Sequence, residues 1–369
     1  MAMIVIATQC YPPRFGGIEN LLYGISTALF SRGHKIIVFA DSHCKAEELA
    51  FDSKQGFVVK RYSGMKFLRR RKKARDINLF IQNNKPLGVI CDSWKSLEHL
   101  RSEGVPAVLC LTHGTELPVQ CSRIKAKRIE SSLIKASAVI ANSRYTANRT
   151  KPFLVDPAHL QVINPGINQP AVADKNALDR IRAQLNQHNP ILISVARLQK
   201  RKGHNRIIQL LPKLLSRYPN LLYVIIGEGS EQTTLQKLVQ TLKLEHQVLF
   251  AGSITEAEIS AYLDRSHLFL MPGNTDGNDV EGFGIAYIEA AYHGIPAIAG
   301  RSGGATEAVI DEQTGLLCSA DDEQAFFAAV CRLLGDEDLL KRMGKHAQQR
   351  AQSLLWKNVI GDYEKLLGL

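Results

Sequence analysis

MIVIATQCYPPRFGGIENLLYGISTALFSRGHKIIVFA, residues 3–40, holds a strand, a glycine loop, a helix and a second strand in that order. The run 3–8 is short and apolar, and it breaks at Gln9-Cys10-Tyr11-Pro12-Pro13-Arg14-Phe15-Gly16-Gly17. Ile18, Leu21, Leu22, Ile25 and Leu29 then fall on one face at helical spacing. The pattern stops near Gly33, and 35–40 is apolar again. Near-continuous apolar strands alternating with amphipathic helices open a parallel, doubly wound sheet.

Outward from this unit the same alternation continues. Further strands are expected at 57–61, 87–91, 106–111 and 138–141, with prolines and glycines marking the loops between them. Asn164-Pro165-Gly166-Ile167 and the polar segment to Pro190 read as a linker. A second series then begins, with strands at 191–196, 221–226, 248–251, 267–271 and 296–299. Helices near 204–217, 231–243, 256–265, 283–293 and 321–334 separate or follow them. At 369 residues the chain exceeds one ordinary core. The expectation is an α/β protein of two Rossmann-like domains with a cleft between them, and ligands at the carboxyl ends of the strands.

Composition narrows the class. A 45% apolar and 22% charged chain is an ordinary folded protein. No stretch approaches the roughly 18 apolar residues of a membrane span. MAMIVIATQC lacks a basic leader and reads as a buried strand, not a signal peptide. Seven scattered cysteines without a CxxC suit reduced thiols in a cytoplasmic protein. The net charge of +11 is uneven: residues 1–165 carry 25 Lys/Arg against 12 Asp/Glu, so the excess belongs to the first half. KFLRRRKKAR at 66–75 and RIKAKR at 123–128 concentrate it. An anionic membrane surface suits these runs, which otherwise read as solvated faces. Nucleic acid is not expected, since no aromatic-interleaved platform accompanies them.

The chemistry collects at strand ends. In MPGNTDGNDVEGFGIAYIEAAYHGIPAIAGRSGGAT, residues 271–306, Glu281 precedes a helix start near Gly282 and Glu289 follows about two turns in. A helix start offers free amides to phosphate, and the glycines let a ligand approach the backbone. Carboxylates repel phosphate and suit hydroxyls, so the stretch reads as a nucleotide-sugar site. Arg197 closes one strand and Lys202 follows in QKRKGH, two cations fit for a diphosphate, while Lys200 and Arg201 read as a solvated turn. His113 ends the strand before HGTE, where it is either a ligand to a hydroxyl or a loop histidine. Gly16-Gly17 is either a phosphate-facing turn or an ordinary tight one, and Gly227-Glu228-Gly229 lacks the third glycine of a dinucleotide fingerprint. Asp336-Glu337-Asp338 reads as an acidic helix start, and no metal is expected.

Together, YPPRFGGIEN, HGTEL, VIANSRYT, NPGIN, SVARLQKRKGH, VIIGEG and EGFGIAYIEAAYHGIPAIAGRSGGATE resemble the retaining glycosyltransferases of family 4, across essentially the whole chain. The wording RKGH, DVEGFGI and AGRSGGA is similar to the phosphatidylinositol mannoside mannosyltransferases and related GDP-mannose-dependent enzymes. The resemblance implies a GT-B fold. Residues 1–165 plus a returning helix in 352–369 would form the acceptor domain, and 166–351 the nucleotide-sugar domain. It implies that Glu281 faces the donor sugar's hydroxyls and that Glu289 holds the ribose. Amides of Gly282, Phe283, Gly284 and Ile285 would touch sugar and phosphates, with Gly227 alongside. Arg197 and Lys202 would clamp the diphosphate, Gly17 would close on it, and His113 would touch the transferred sugar, without metal or cofactor. Arg14 and Glu116 are expected on the acceptor side. The expected reaction moves mannose to a lipid-linked or cell-envelope glycan acceptor at the inner membrane face. A UDP-sugar donor, or a non-catalytic module that kept the fold, are the alternatives.

Overall fold

The computed structural model of the chain describes residues 1–14, 16–275 and 279–369; Phe15 in the first loop and 276–278 in the polar loop lie outside the described residues. The first sheet contains β1 (Met3–Thr8), β2 (Lys35–Asp41), β3 (Val58–Tyr62), β4 (Gly88–Cys91), β5 (Ala107–Thr112), β6 (Ala138–Ala141) and β7 (Leu160–Val162). Its order is β3-β2-β1-β4-β5-β6-β7. The second contains β8 (Ile191–Val195), β9 (Leu222–Ile226), β10 (Val248–Gly252), β11 (Leu268–Met271), β12 (Ala297–Gly300) and β13 (Gly315–Cys318), in the order β10-β9-β8-β11-β12-β13. Pairings in both sheets are parallel. The central strands are buried on both faces, as Ile4, Val5, Ile6 and Ala7 illustrate, which is why they read as unbroken apolar runs.

Each sheet reverses direction once. The chain moves outward from β1 to β3 and resumes beside β1 with β4; it moves from β8 to β10 and resumes beside β8 with β11. At such switch points adjacent connections leave to opposite faces and open a crevice beyond the carboxyl ends. Gln9 and Asp92 stand at the first, and Arg197 and Pro272 at the second.

Contacts divide the chain into two compact units, Met1–Asn168 with Leu354–Leu369, and Gln169–Ser353. The segment expected as a linker is a correction: it contains the helix Lys175–Leu185, which buries Ala177, Ile181 and Leu185. Asp174 caps it by accepting the Ala177 amide at 2.8 Å. A three-residue apolar stripe inside a polar stretch hid it. The short edge strands β7 and β13 also escaped the periodicity, and Glu337–Ser353 is a further helix, capped by Asp336, which accepts from the Leu339 amide at 2.8 Å. The basic run 66–75 lies on the helix Lys66–Asn84. All seven cysteines are unpaired.

The last helix, Trp356–Leu367, completes the first unit against the helix Gly17–Ser31. Its Trp356 is buried over two glycines. A Cβ on Gly24 would stand 2.0 Å from the indole nitrogen, and one on Gly166 would stand 2.6 Å from the ring. Arg32 and His34 each reach Glu364 at 3.3 Å on the same seam. Gly24→Ala therefore forces the indole out of place and should destabilise the protein by about 1–3 kcal/mol. A urea-unfolding double-mutant cycle with Trp356→Leu checks this: the two losses should be clearly less than additive.

Candidate functional site

The second switch point is built around an ion cluster. Lys202 follows β8 in a short turn that Gly203 closes at φ +77°, a backbone region open to glycine. Its amine pairs with Glu281 Oε2, and Arg201 Nη1 reaches the same oxygen at 3.1 Å. The side chains of Lys202 and Arg201 are 11% exposed and that of Glu281 18%, so the cluster is largely dehydrated. Burial alone would raise the Glu281 carboxyl; Lys202 and Arg201 outweigh it and bring it to about 2. Burial likewise lowers the Lys202 ammonium, and Glu281 opposes this. Arg201, expected to be solvated, is instead a partner of Glu281 and of Asp279 at 3.0 Å, because Gly203 folds the turn against the Pro272 carbonyl. Arg197 is exposed and makes no ion pair among the described residues.

Small residues seat this cluster. A Cβ on Gly300 would meet the Gly273 carbonyl at 2.0 Å, and Cβ atoms on Gly303 and Gly304 would meet the carbonyls of Glu281 and Gly282 at 2.4 and 2.0 Å. The Gly304 amide donates to the Glu281 carbonyl at 2.8 Å. The glycines of RSGGAT thus hold the Glu281 backbone. Gly227 serves similarly, since its Cβ would stand 2.2 Å from the Ala196 carbonyl at the end of β8.

The following helix is Ile285–Tyr292, starting three residues later than Gly282 because Gly284 takes a left-handed φ of 96°. Phe283 is buried as core, and Tyr287 donates to the Met271 carbonyl at 2.8 Å, tying the helix to β11. Ile285 and Ala286 open the helix, with no backbone acceptor for their amides among the described residues. Glu289, one turn in, is half-buried without an ion pair or hydrogen bond among the described residues. Burial first, and Glu256 second, push its carboxyl up to about 7.

The first switch point is a hydrogen-bond hub on Asp92, which sequence reading missed. Its Oδ2 accepts the Gln9 amide at 2.7 Å and the Thr8 hydroxyl at 3.1 Å, and its Oδ1 accepts from Ser93 at 3.1 Å. His113, buried at the end of β5, donates Nε2–H to the Asp92 carbonyl at 2.7 Å. In the neutral ring this fixes Nδ1 as the acceptor. Glu116 Oε1 accepts the His113 amide at 2.7 Å and so shapes the HGTE turn. Gly17 begins its helix exposed, with open space where a side chain would stand, while Gly16 packs on Glu19. Arg14 is half-exposed and 3.5 Å from Glu19. The structure therefore joins Lys202 with Glu281, and His113 with Glu116, leaves Gly17 exposed, and gives Arg197 and Glu289 no side-chain partner among the described residues.

Comparison with known proteins follows these divisions. The family profile "Glycosyltransferase Family 4" matches residues 15–169, and "Glycosyl transferases group 1" matches 176–350. The chain is 32% identical, over 92% of its length and 91% of the other's, to the GDP-mannose-dependent alpha-(1-6)-phosphatidylinositol monomannoside mannosyltransferase of Mycolicibacterium smegmatis. A monoacylated-substrate counterpart from Corynebacterium glutamicum is 27% identical, covering 94% and 92%. In structure it resembles Anabaena HepE, crystallised with UDP, at a TM-score of 0.82 and 19% identity over the whole of both chains. The chain belongs to glycosyltransferase family 4 and is a glycosyltransferase of the GT-B fold.

Proposed function

We propose that the protein transfers mannose from GDP-mannose, with retention of configuration, to a lipid-linked or cell-envelope glycan acceptor at the inner face of a membrane. One observation carries the reading of the site: Glu281 is kept ionised between Lys202 and Arg201 at a switch point where exposed Arg197 and the opening amides of a helix also stand. The ionised carboxylate accepts hydrogen bonds from sugar hydroxyls. Arg197 and Lys202 take the diphosphate, whose charge grows as the glycosidic bond to the leaving nucleotide breaks, so no metal is required. Glu289, half-buried and without an ion pair among the described residues, accepts from the ribose. Gly282, Phe283, Gly284 and Ile285 present backbone to sugar and phosphates, and Gly227 keeps the neighbouring strand end close.

In the first unit, Nδ1 of His113 accepts from a hydroxyl of the transferred sugar, and the exposed Gly17 amide offers a phosphate contact. Arg14 and Glu116 lie on the loops assigned to the acceptor. The excess positive charge of residues 1–165 supports docking to anionic lipid in preference to nucleic acid. Among the described residues no helix is long and apolar enough to cross a membrane. The similarity to GDP-mannose-dependent enzymes over nine-tenths of the chain supports the donor.

Glu281→Ala and Lys202→Ala should each lower transfer from GDP-mannose by about 100-fold or more; unchanged turnover in either would refute the assignment. GDP at about a hundred times its dissociation constant should stabilise the protein by about 2.7 kcal/mol. Thermal unfolding then shows a clear upward shift with GDP and little with UDP, and the reverse ranking would make the donor a UDP-sugar. Glu289 adds a pH test. Its carboxyl sits near 7 folded against 4.5 ordinarily, so its charging opposes folding as pH rises through that window and not below it. Glu289→Gln should gain on the order of 1–2 kcal/mol at about pH 8, nothing near pH 4, and lose part of the GDP-dependent shift.

A further inference from the structure

Two residues beyond Lys202 begins a buried chain of polar side chains that the transfer reading does not use. It consists of His204, the first residue of the helix His204–Leu215, Tyr223 on β9 and Ser194 on β8, each at most 2% exposed. Ser194 Oγ reaches the Leu270 carbonyl, Tyr223 Oη stands 2.7 Å from Ser194 Oγ, and His204 Nδ1 stands 3.0 Å from Tyr223 Oη. The direction of every proton follows. A carbonyl can only accept, so the Ser194 hydroxyl donates to Leu270 and its oxygen accepts from Tyr223. With its one proton spent, the Tyr223 oxygen accepts from His204, which therefore carries a proton on Nδ1. Burial first and the Lys202 ammonium second push the ring's pKa down to about 4, against the Arg197 carbonyl, so the ring is uncharged near neutral pH. Nε2 is then a bare acceptor, buried and without a hydrogen-bond partner among the described residues.

The chain spans the place where the second switch point opens. β8 and β11 flank that point, and their ladder pairs Leu192 with Leu268 and Ile193 with Phe269. Ser194 comes next, and its hydroxyl crosses to the Leu270 carbonyl of β11. Two residues further, the Pro272 carbonyl packs on Gly203, where a Cβ would stand 2.5 Å from the oxygen. Gly203 lies between Lys202 and His204, so the contacts close a circuit. It runs from Leu270 to Ser194, Tyr223 and His204, then through Gly203 and Pro272 back to Leu270. Lys202 is carried on this circuit and pairs with Glu281 from it. Apolar side chains could fill the same space, but they would not fix three strands and a helix start at one point. A directional chain of buried hydrogen bonds does.

We propose that His204 is a positioning residue for the transfer reaction, acting through Tyr223 and Ser194. Protonated on Nδ1, its ring holds the Gly203–Pro272 contact and so sets the reach of Lys202 toward Glu281 and the donor's diphosphate. The inference rests on the reading of Lys202 as a diphosphate ligand, and not on which nucleotide or sugar is bound.

Calorimetric titration of GDP and of UDP into the full chain tests it, with the tighter nucleotide carried through the variants. Tyr223→Phe removes the hydroxyl that links serine to histidine and should weaken binding by about tenfold. His204→Asn puts an amide nitrogen in the place of Nδ1 and should stay within about twofold of wild type. His204→Gln puts its amide in the place of Nε2 and should lose as much as Tyr223→Phe; the reverse ranking overturns the proton assignment and the proposal with it. The asparagine and glutamine variants carry the affinity comparison if the phenylalanine variant does not fold. Coupling separates positioning from a merely structural role: in a Lys202→Ala background, Tyr223→Phe should cost no further affinity. Full additivity, or wild-type binding by Tyr223→Phe, overturns the proposal. Unchanged binding by Lys202→Ala instead removes the diphosphate reading, and with it the role given to His204, so the two failures are told apart. Nitrogen-15 spectra of histidine-labelled protein add a direct reading of the ring. At neutral pH one histidine, identified by its loss in His204→Asn, should be uncharged with its proton on Nδ1; a proton on Nε2 overturns the proposal.

Discussion

Glu281 is a carboxylate kept charged in surroundings that would otherwise neutralise it, and the carboxyl end of the second sheet is organised around that requirement. Two cations have to reach one oxygen, so the turn carrying them must lie flat against the β11 loop. Gly203 permits this at the Pro272 carbonyl, and Gly300, Gly303 and Gly304 bring the other two loops close enough to hold the Glu281 backbone. A buried ion cluster adds little stability when complete, but losing one member leaves an uncompensated charge. The glycines and the charges therefore form one constraint: a side chain added at any of these contacts would displace the ions.

The two switch points solve different problems with the same topology. The second is ionic, with exposed Arg197 beside it making no ion pair among the described residues. The first is a network of hydrogen bonds in which Asp92 gathers Gln9, Thr8 and Ser93 through its carboxylate and His113 through its carbonyl. The histidine's tautomer follows from that carbonyl, which can only accept. A chemically specific group is thus set by a backbone atom of a neighbouring strand, which explains why the parallel register of β4 and β5 matters to the site.

Much of this was legible in the chain. Buried parallel strands are apolar throughout, so β1, β2, β5, β8 and β9 announced themselves, and the glycine-rich ends that follow β8 and β11 marked the second switch point. What escaped was long-range or weakly patterned. Arg201 looks like its neighbour Lys200 in sequence; only the turn at Gly203 points one inward. Asp92 stands in CDSWKS without any spacing that ties it to Gln9 or His113. The helix Lys175–Leu185 buries only a narrow stripe, and β7 and β13 are too short for a period to show. The basic run 66–75 read as one charged face, whereas helical geometry sends its members to two.

The seam at Trp356 bears on how the polypeptide is made. The second unit is an insertion in the first: the chain leaves at Asn168, builds Gln169–Ser353, and returns with Leu354–Leu369. During synthesis, the groove over Gly24 and Gly166 stays uncovered until Leu354–Leu369 has been made. The second unit, whose residues are contiguous, can fold first. Completion of the amino-terminal unit then waits for Leu354–Leu369, and the indole of Trp356 is the piece that closes it.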